Sequence, residues 1–299
     1  MEPSGILLGL AAAACLSVSY IFSRLFVMRC DDGARRLLIA SHLFLGLASA
    51  AVLPLVWSSD VPPLRRYAAP LLCSAAFYLA GQAGLFLLVR RIEVSRAAPL
   101  LGLKIPILAA IASLFLHQPL SAGQWLAVLL CVLAMLLLNA SGGRFPALAA
   151  VWLTVACVGY SMSDLCIVWL VRALLPLSGL RASVLGVCLS YLVCGAAAVA
   201  ALPAAGMRRS LAGWRLSAPF AAVWFLAMVF LFGCFGTIGA VYGNVVQSTR
   251  GILSVLLGAA LAKLGVADLE VRASRRAVAG RLAAAVMMTL AIWLFKAGG

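Results

Sequence analysis

The sequence predicts an all-α integral membrane protein with ten transmembrane helices in two inverted five-helix repeats. The first observation is composition: 65% of the 299 residues are hydrophobic, 10% are charged, and the mean hydropathy is +1.13. The second is a series of apolar runs of roughly 17–25 residues, each long enough to cross a bilayer as a helix. The third is a short motif that occurs twice, 154 residues apart.

Ten apolar runs can be separated along the chain, with short gaps between them. They span residues 4–27, 37–56, 67–89, 97–115, 122–138, 146–171, 182–202, 217–240, 247–265 and 277–295. The longest gap, from Pro203 to Ser217, is too short for a soluble domain. We therefore expect one membrane domain, with a first repeat at residues 1–141 and a second at residues 142–299.

The repeated motif supports a duplication. Residues 93–102 read EVSRAAPLLG and residues 247–254 read QSTRGILS, so a shift of 154 pairs Arg96 with Arg250. Because each half crosses the membrane five times, an odd number, the two halves must be inverted, as is typical of secondary transporters. The same shift pairs Lys104 with Gly258, which predicts that the deep charge belongs to one half only.

A second match, at a shift of 140, joins the first and sixth runs. In each run three residues at i, i+3 and i+7 share one helical face, as expected for helices that line a cavity. These residues are Ser17, Tyr20 and Arg24 in the first run, and Cys157, Tyr160 and Asp164 in the sixth.

The fourth and fifth runs contain SRAAP at residues 95–99, a deeper Pro106, and then LFLHQPLS and QWL between residues 114 and 126. These segments resemble the EamA type of the drug/metabolite transporter superfamily. The resemblance implies ten helices in two inverted repeats and transport of small metabolites. It also implies a glutamate in the turn between the fourth and fifth helices of each half, where this chain has Gln118 and, near the second position, Glu270.

Basic residues are unevenly distributed between the two faces. The gaps after the odd-numbered runs hold 13 arginines, whereas the opposite face, with both termini, holds six basic residues, Arg250 among them. The positive-inside rule then predicts termini outside the cytoplasm, while the resemblance implies cytoplasmic termini. Both orientations fit a multi-pass protein of a cell membrane, such as the bacterial inner membrane. Since arginines in short loops account for most of the +15 charge, we expect no nucleic-acid partner.

Five charged residues that are not part of this loop count lie within the apolar runs: Arg24, Lys104, Asp164, Lys263 and Arg281. A lone charge at mid-bilayer costs about 2.5–3.5 kcal/mol, so it usually faces a cavity or a partner. Lys104 lies ~3 Å from the centre of its run and Asp164 ~7 Å from the centre of its own, on the other side of the midplane, so the two can pair if their helices are neighbours. Arg24, Lys263 and Arg281 lie nearer run ends, from which they can reach the headgroups.

These positions, with nearby polar residues, give a candidate substrate site. Its members are Lys104, Tyr20, Tyr78, Gln82, Tyr160 and Asp164, with Asp164 also the candidate for proton coupling. Weaker candidates are Arg24, His42, Tyr242 and Asn244, the last two at the junction of the eighth and ninth runs together with Thr237 and Gln247.

The sequence thus predicts a secondary transporter that moves an anionic or zwitterionic metabolite, such as an amino acid or organic acid, by alternating access through a central cavity. The alternatives are a non-transporting membrane scaffold or assembly protein and a lipid-handling protein. An enzyme is disfavoured because no H-E-x-x-H, G-x-S-x-G or phosphate-binding glycine loop occurs. Nine cysteines without a C-x-x-C pair predict no metal or cofactor. The expected partners are a small-molecule substrate and the lipid bilayer, and a homodimer is left open.

Overall fold

The computed structural model of the chain describes residues 3–30, 33–92, 97, 100–114, 119–139, 146–175, 177, 179–205, 211–263 and 275–298. Within these residues the regular structure is entirely helical. Six helices are long and apolar enough to cross a membrane. The predicted all-α membrane fold is therefore confirmed.

Eleven α-helices lie in the described residues. The first five are α1 (Pro3–Arg29), α2 (Gly33–Val56), α3 (Ala68–Val89), α4 (Lys104–Leu114) and α5 (Ala122–Asn139). The other six are α6 (Ala147–Ala173), α7 (Gly179–Ala205), α8 (Leu211–Ile238), α9 (Ala240–Gln247), α10 (Arg250–Lys263) and α11 (Arg275–Ala297). Single 3₁₀ turns at Leu64–Arg66 and Leu101–Leu103 precede α3 and α4.

Helices are the expected form of these runs because a helix satisfies its own backbone polar groups, which have no water to bond in the bilayer. Residues that disfavour helix continuation stand at several starts. Pro146 immediately precedes α6, Gly33 and Gly179 are the first residues of α2 and α7, and Gly239 precedes α9.

The helices pack in a symmetric order. Helix α1 packs along α8, and α3 packs along α6, so the first long helix of each half contacts the third of the other. Helix α2 packs along α7, and α5 along α11, so second meets second and fifth meets fifth. This exchange is the arrangement that two inverted repeats produce. The predicted boundary between residues 141 and 142 lies outside the described residues, so the division there stays a prediction.

Glycines allow the closest helix crossings. A Cβ atom on Gly46 of α2 would lie 3.0 Å from the Cα of Gly195 on α7. A Cβ on Gly159 of α6 would lie 2.7 Å from the backbone nitrogen of Gly81 on α3. Small residues at such crossings let the backbones approach, as is common in membrane bundles.

The ninth membrane segment differs from the prediction. The eighth and ninth runs were expected at residues 217–240 and 247–265, but α8 ends at Ile238 and α9 begins at Ala240. Gly239 between them has φ 76°, a left-handed conformation that glycine adopts without a steric cost. The ninth segment therefore consists of α9 and α10, separated by a turn at Ser248–Thr249. Polar residues in α9 lower its mean hydropathy, so its sequence resembles a loop between the eighth and ninth runs.

The fourth segment is also interrupted. The predicted run at residues 97–115 contains the 3₁₀ turn Leu101–Leu103 followed by α4, which begins at Lys104. Discontinuous helices in corresponding positions of two repeats typically mark the binding site of a transporter. Both interruptions direct attention to the first residues of α4 and α10.

Candidate functional site

Lys104 and Asp164 form an ion pair at the centre of the bundle. The Nζ atom of Lys104 lies 2.8 Å from Oδ2 of Asp164, and each side chain is only 5% exposed. The Nδ2 of Asn244 on α9 donates to the same Oδ2 at 2.7 Å and to the Ala240 carbonyl at 2.9 Å. The predicted pairing of Lys104 with Asp164 is confirmed; it joins the two halves, and Asn244 supports Asp164 from within the second half.

The backbone around Lys104 is held by α6. Ser161 donates from its hydroxyl to the Lys104 carbonyl at 3.1 Å. The Lys104 ammonium also lies 5.7 Å from the centroid of the Tyr160 ring, within the range of a cation–π interaction. Lys104 is thus held by three contacts: the hydrogen bond to its carbonyl, the ion pair with Asp164, and the approach of its ammonium to the Tyr160 ring.

Arg250, the first residue of α10, is buried with 4% of its surface exposed. Its Nη1 lies 3.5 Å from the Tyr20 hydroxyl, and its carbonyl accepts a bond from Ser17 at 3.1 Å. Among the described residues no carboxylate lies within ion-pair distance of its guanidinium. The assignment of Arg250 to a loop at the membrane face is therefore wrong.

Helix bounds show that Arg250 is the counterpart of Lys104. Helices α1 and α6 have 27 residues each and begin at Pro3 and Ala147, 144 positions apart. Helices α4 and α10 begin 146 positions apart. The paired bonds agree: Ser17 holds the Arg250 carbonyl as Ser161 holds that of Lys104.

The sequence shifts of 154 and 140, and the pairing of Lys104 with Gly258, are therefore wrong. The structural shift of 144 in α1 and α6 makes Tyr20 the counterpart of Asp164. Alignment of short motifs by residue identity gives the wrong shift between the two halves, because the halves are more alike in backbone than in side chains.

A small central cavity lies between these residues. It measures ≈ 30 Å³, room for one or two water molecules. Five predicted site residues line it together, namely Tyr20, Tyr78, Lys104, Tyr160 and Asp164. Trp224, Gln247 and Arg250 complete its polar and aromatic wall. The sequence therefore located the cavity but missed its second cation.

Aromatic rings make up a large part of the cavity wall. The ring centroids of Tyr78 and Tyr160 are 6.4 Å apart, and those of Tyr20 and Trp224 are 6.2 Å apart. Tyr78 and Trp224 are likewise separated by 6.2 Å. These rings are tilted by 42–45° to one another and offer an aromatic surface beside the charges.

Gln82 and His42 position two of the tyrosines. The Tyr160 hydroxyl donates to Oε1 of Gln82. The Nδ1 of His42 contacts the Leu38 carbonyl, which only accepts, so the Nε2 at 3.2 Å accepts from the Tyr78 hydroxyl. Neither Gln82 nor His42 is among the cavity-lining residues described, and both act through the ring that they hold.

Arg24 lies away from the cavity. Its Nη1 donates to the carbonyls of Val89, at 3.1 Å, and Ile92, at the C-terminal end of α3. A cation is favourable there because the carbonyl end of a helix carries partial negative charge. Arg24 is not among the described residues that line the cavity, so its weaker assignment to the substrate site stays an untested prediction.

Other predicted positions lie elsewhere. Tyr242 lines a separate cavity beside Gly239. The side chains of Lys263 and Arg281, and the turn residues Gln118 and Glu270, lie outside the described residues.

Several buried amide atoms have no hydrogen-bond partner among the described residues. They include both Nε2 and Oε1 of Gln247, Oδ1 of Asn244 and Nε2 of Gln82. An unpaired buried polar group is unfavourable, and Gln247 lines the cavity. Its amide is therefore available to a polar ligand. Among the described residues no group of three side chains is arranged to hold a metal ion.

Comparisons with known proteins agree with the fold. Residues 3–140 match the model of the EamA-like transporter family, which confirms the predicted resemblance. A solved structure titled only as the crystal structure of a protein superposes with a TM-score of 0.66, at 15% sequence identity, over 99% of this chain and 99% of its own. At that identity the likeness concerns the fold alone. No curated protein matches the sequence.

Proposed function

With residues 3–140 matching the EamA-like transporter family, a group of multi-pass membrane transporters of the drug/metabolite type, we propose that this chain is a secondary transporter of a small anionic or zwitterionic metabolite. It works by alternating access, and the central cavity is its substrate site. An organic acid or an amino acid is the expected cargo.

The observation that carries this proposal is the buried charge of Arg250. The cavity holds two basic residues, Lys104 and Arg250, and one carboxylate, Asp164. Lys104 is neutralised by Asp164, whereas among the described residues the Arg250 guanidinium bonds only the Tyr20 hydroxyl. A buried charge without a partner costs several kcal/mol. An anionic group on the substrate removes that cost, so the site selects for negative charge.

The rest of the substrate contacts the aromatic and amide wall. A carboxylate bound by Arg250 places the body of the molecule against Tyr78, Tyr160 and Trp224, while Gln247 supplies a donor and an acceptor. A zwitterion also brings an ammonium group, and Asp164 is its natural partner once Lys104 turns to the substrate carboxylate. Strongly cationic compounds are excluded by the net positive charge.

Alternating access follows from the size of the cavity and the interrupted helices. At ≈ 30 Å³ the cavity is too small for an amino acid, so a loaded state needs the walls to move apart. The turn Leu101–Leu103 and the breaks at Gly239 and Ser248–Thr249 are the points at which α4 and α10 can pivot. The turns at Leu101–Leu103 and Ser248–Thr249 adjoin Lys104 and Arg250, the two cations of the cavity, which links binding to movement.

Asp164 is the proposed coupling residue. Of the two carboxylates in the described residues, Asp60 lies in an exposed turn and Asp164 lies in the cavity. Protonation of Asp164 breaks the pair with Lys104 and frees a second cation for the substrate. In this scheme proton and anion bind together.

Membrane placement belongs to the same proposal. We place the chain in a cell membrane, the bacterial inner membrane, as two five-helix repeats divided near residue 141. With Arg250 removed from the loop count, the face of the termini keeps five basic residues against 13. That imbalance favours termini outside the cytoplasm.

The test is uptake by proteoliposomes that contain the purified protein and a pool of labelled organic acids, amino acids and amines. We expect uptake of anionic or zwitterionic compounds and competition among them. We expect no uptake of amines. Arg250→Gln serves as the inactive control. Uptake of amines alone, or flux that is unchanged by Arg250→Gln, contradicts the proposal. Absence of any flux from a folded protein favours the scaffold alternative.

A further inference from the structure

A second and larger cavity lies beside the break between α8 and α9. It measures ≈ 170 Å³ and is lined by parts of α6, α9 and α11, with Gly239 in its wall. Residue Gly5 of α1 is adjacent to the break, since a Cβ there would lie 2.6 Å from Ile238. The cavity therefore lies near the first turns of α1. We call it the outer cavity.

The polar groups of the outer cavity suit an anion. Arg172, in the last turn of α6, is the one charged residue among its described lining residues. The first turn of α9 meets the cavity at Ala240 and Val241, and Gly239 provides no side-chain cap for it. The first N–H groups of a helix have no partner inside the helix and attract negative charge.

A buried hydroxyl provides independent evidence for a ligand. Tyr242 lines the outer cavity and is 2% exposed, and its hydroxyl has no hydrogen-bond partner among the described residues. Buried hydroxyls are normally bonded. An oxygen of a ligand carboxylate would accept from this hydroxyl and from the Arg172 guanidinium.

The remainder of the outer cavity suits an apolar ring or chain. The rings of Tyr242 and Phe295 are stacked, with centroids 5.3 Å apart and planes 9° apart. Trp169 and Leu165 of α6 also line the space. A ligand with one carboxylate and a small apolar body satisfies both parts of the lining.

The outer cavity and the central one are both lined by α9. Tyr242 lines the first and Gln247 lines the second, and five residues of α-helix span only ~7.5 Å. We propose that the outer cavity is a second binding site, for small organic carboxylates in solution, where cargo is held on its way to or from Arg250. This inference rests on the proposed function, since it assumes that the cargo is an anion.

The test is titration of the purified full chain, in detergent without anionic lipid, with 4-fluorobenzoate followed by ¹⁹F NMR. We expect two classes of site. Arg172→Gln and Tyr242→Phe should each weaken one class at least fivefold, and Arg250→Gln should weaken the other. Arg66→Gln, a change of an exposed arginine outside the cavity, is the matched control. The neutral 4-fluorobenzamide should not distinguish Arg172→Gln from wild type.

Two results would overturn the outer site. One is binding of 4-fluorobenzoate that neither Arg172→Gln nor Tyr242→Phe changes. The other is a phospholipid seen by native mass spectrometry that Arg172→Gln removes and 4-fluorobenzoate does not displace, since the site is then a lipid site. Failure of the proposed function looks different: binding that depends on Arg172 persists, but no anion flux accompanies it.

Discussion

The two halves of the molecule place a cation at the same point and surround it differently. Lys104 is the first residue of α4 and is paired with Asp164 at 2.8 Å, whereas Arg250 is the first residue of α10 and, in the described part of the chain, its guanidinium bonds only the Tyr20 hydroxyl at 3.5 Å. The backbone bonds from Ser161 and Ser17 are alike. The contrast comes from one pair of equivalent positions, a carboxylate on α6 and a phenol on α1. The two halves thus share the backbone arrangement around the cation. The presence of Tyr20 where the other half has Asp164 gives the cavity its net positive charge.

The largest effect is expected on the paired half. Lys104→Met leaves Asp164 buried with only Asn244 as donor, and removal of one partner of a buried ion pair costs about 3 kcal/mol or more. Lys104→Met/Asp164→Asn removes both charges and should recover most of that loss. Unfolding in detergent, followed by tryptophan fluorescence, measures the difference. A double variant as unstable as the single one would show that the pair does not act as a unit.

The unpaired half should respond in the opposite way. Arg250→Gln removes a buried charge that lacks a carboxylate, so stability is expected to stay equal or rise. Transport should fall about 100-fold, which corresponds to about 2.7 kcal/mol of lost substrate binding in the transition state. Arg250→Lys keeps the charge and should stay within about tenfold of wild type. If Arg250→Gln instead loses stability and Arg250→Lys restores it, the arginine is structural.

The two halves are also expected to differ in proton coupling, which is measured as accumulation of substrate driven by a pH gradient. Asp164→Asn should reduce accumulation driven by a pH gradient about tenfold, while exchange of substrate without a gradient continues, because Arg250 still binds the anion. Tyr20→Phe, at the equivalent position of the other half, should leave the pH dependence intact. Gradient-driven accumulation that survives in Asp164→Asn removes the coupling role from this residue.

The smallest effects are expected where the halves are alike. Ser17→Ala and Ser161→Ala each delete one hydrogen bond to the first residue of an interrupted helix, and each should cost about 1 kcal/mol of stability. Ser19→Ala is the matched control, because its hydroxyl bonds only the Leu16 carbonyl of its own helix. Unequal losses for Ser17 and Ser161 would mean that the two helix starts are not equivalent.

Much of the site was predictable because deep charges are conspicuous in apolar runs. Lys104 and Asp164 lie far from any run end, so their partner could be inferred without coordinates. Arg250 was concealed because the ninth segment begins with polar residues such as Asn244 and Gln247, which lower its hydropathy. Counting from Gly239 would have revealed it. The eight residues of α9, ~12 Å of helix, and the turn at Ser248–Thr249 carry the chain from Gly239 toward mid-membrane.

Residue roles within the site were less predictable. Gln82 and His42 resembled ligand contacts, yet each holds a tyrosine ring. Arg24 shares a helical face with Tyr20 but bonds the end of α3. A polar residue in an apolar helix signals that something polar lies opposite, and the sequence does not say whether that is a substrate or another part of the chain.

The sequence by itself determined that the chain is a helical membrane protein, that its halves are related, and that Lys104 and Asp164 are buried charges. These follow from hydropathy and from the cost of charge in lipid, both of which are properties of single segments. Only the tertiary structure decided that Arg250 is the counterpart of Lys104 and that it lacks a carboxylate. Register between inverted halves depends on where helices break and cross, and those contacts join residues more than 200 positions apart, such as Ser17 and Arg250.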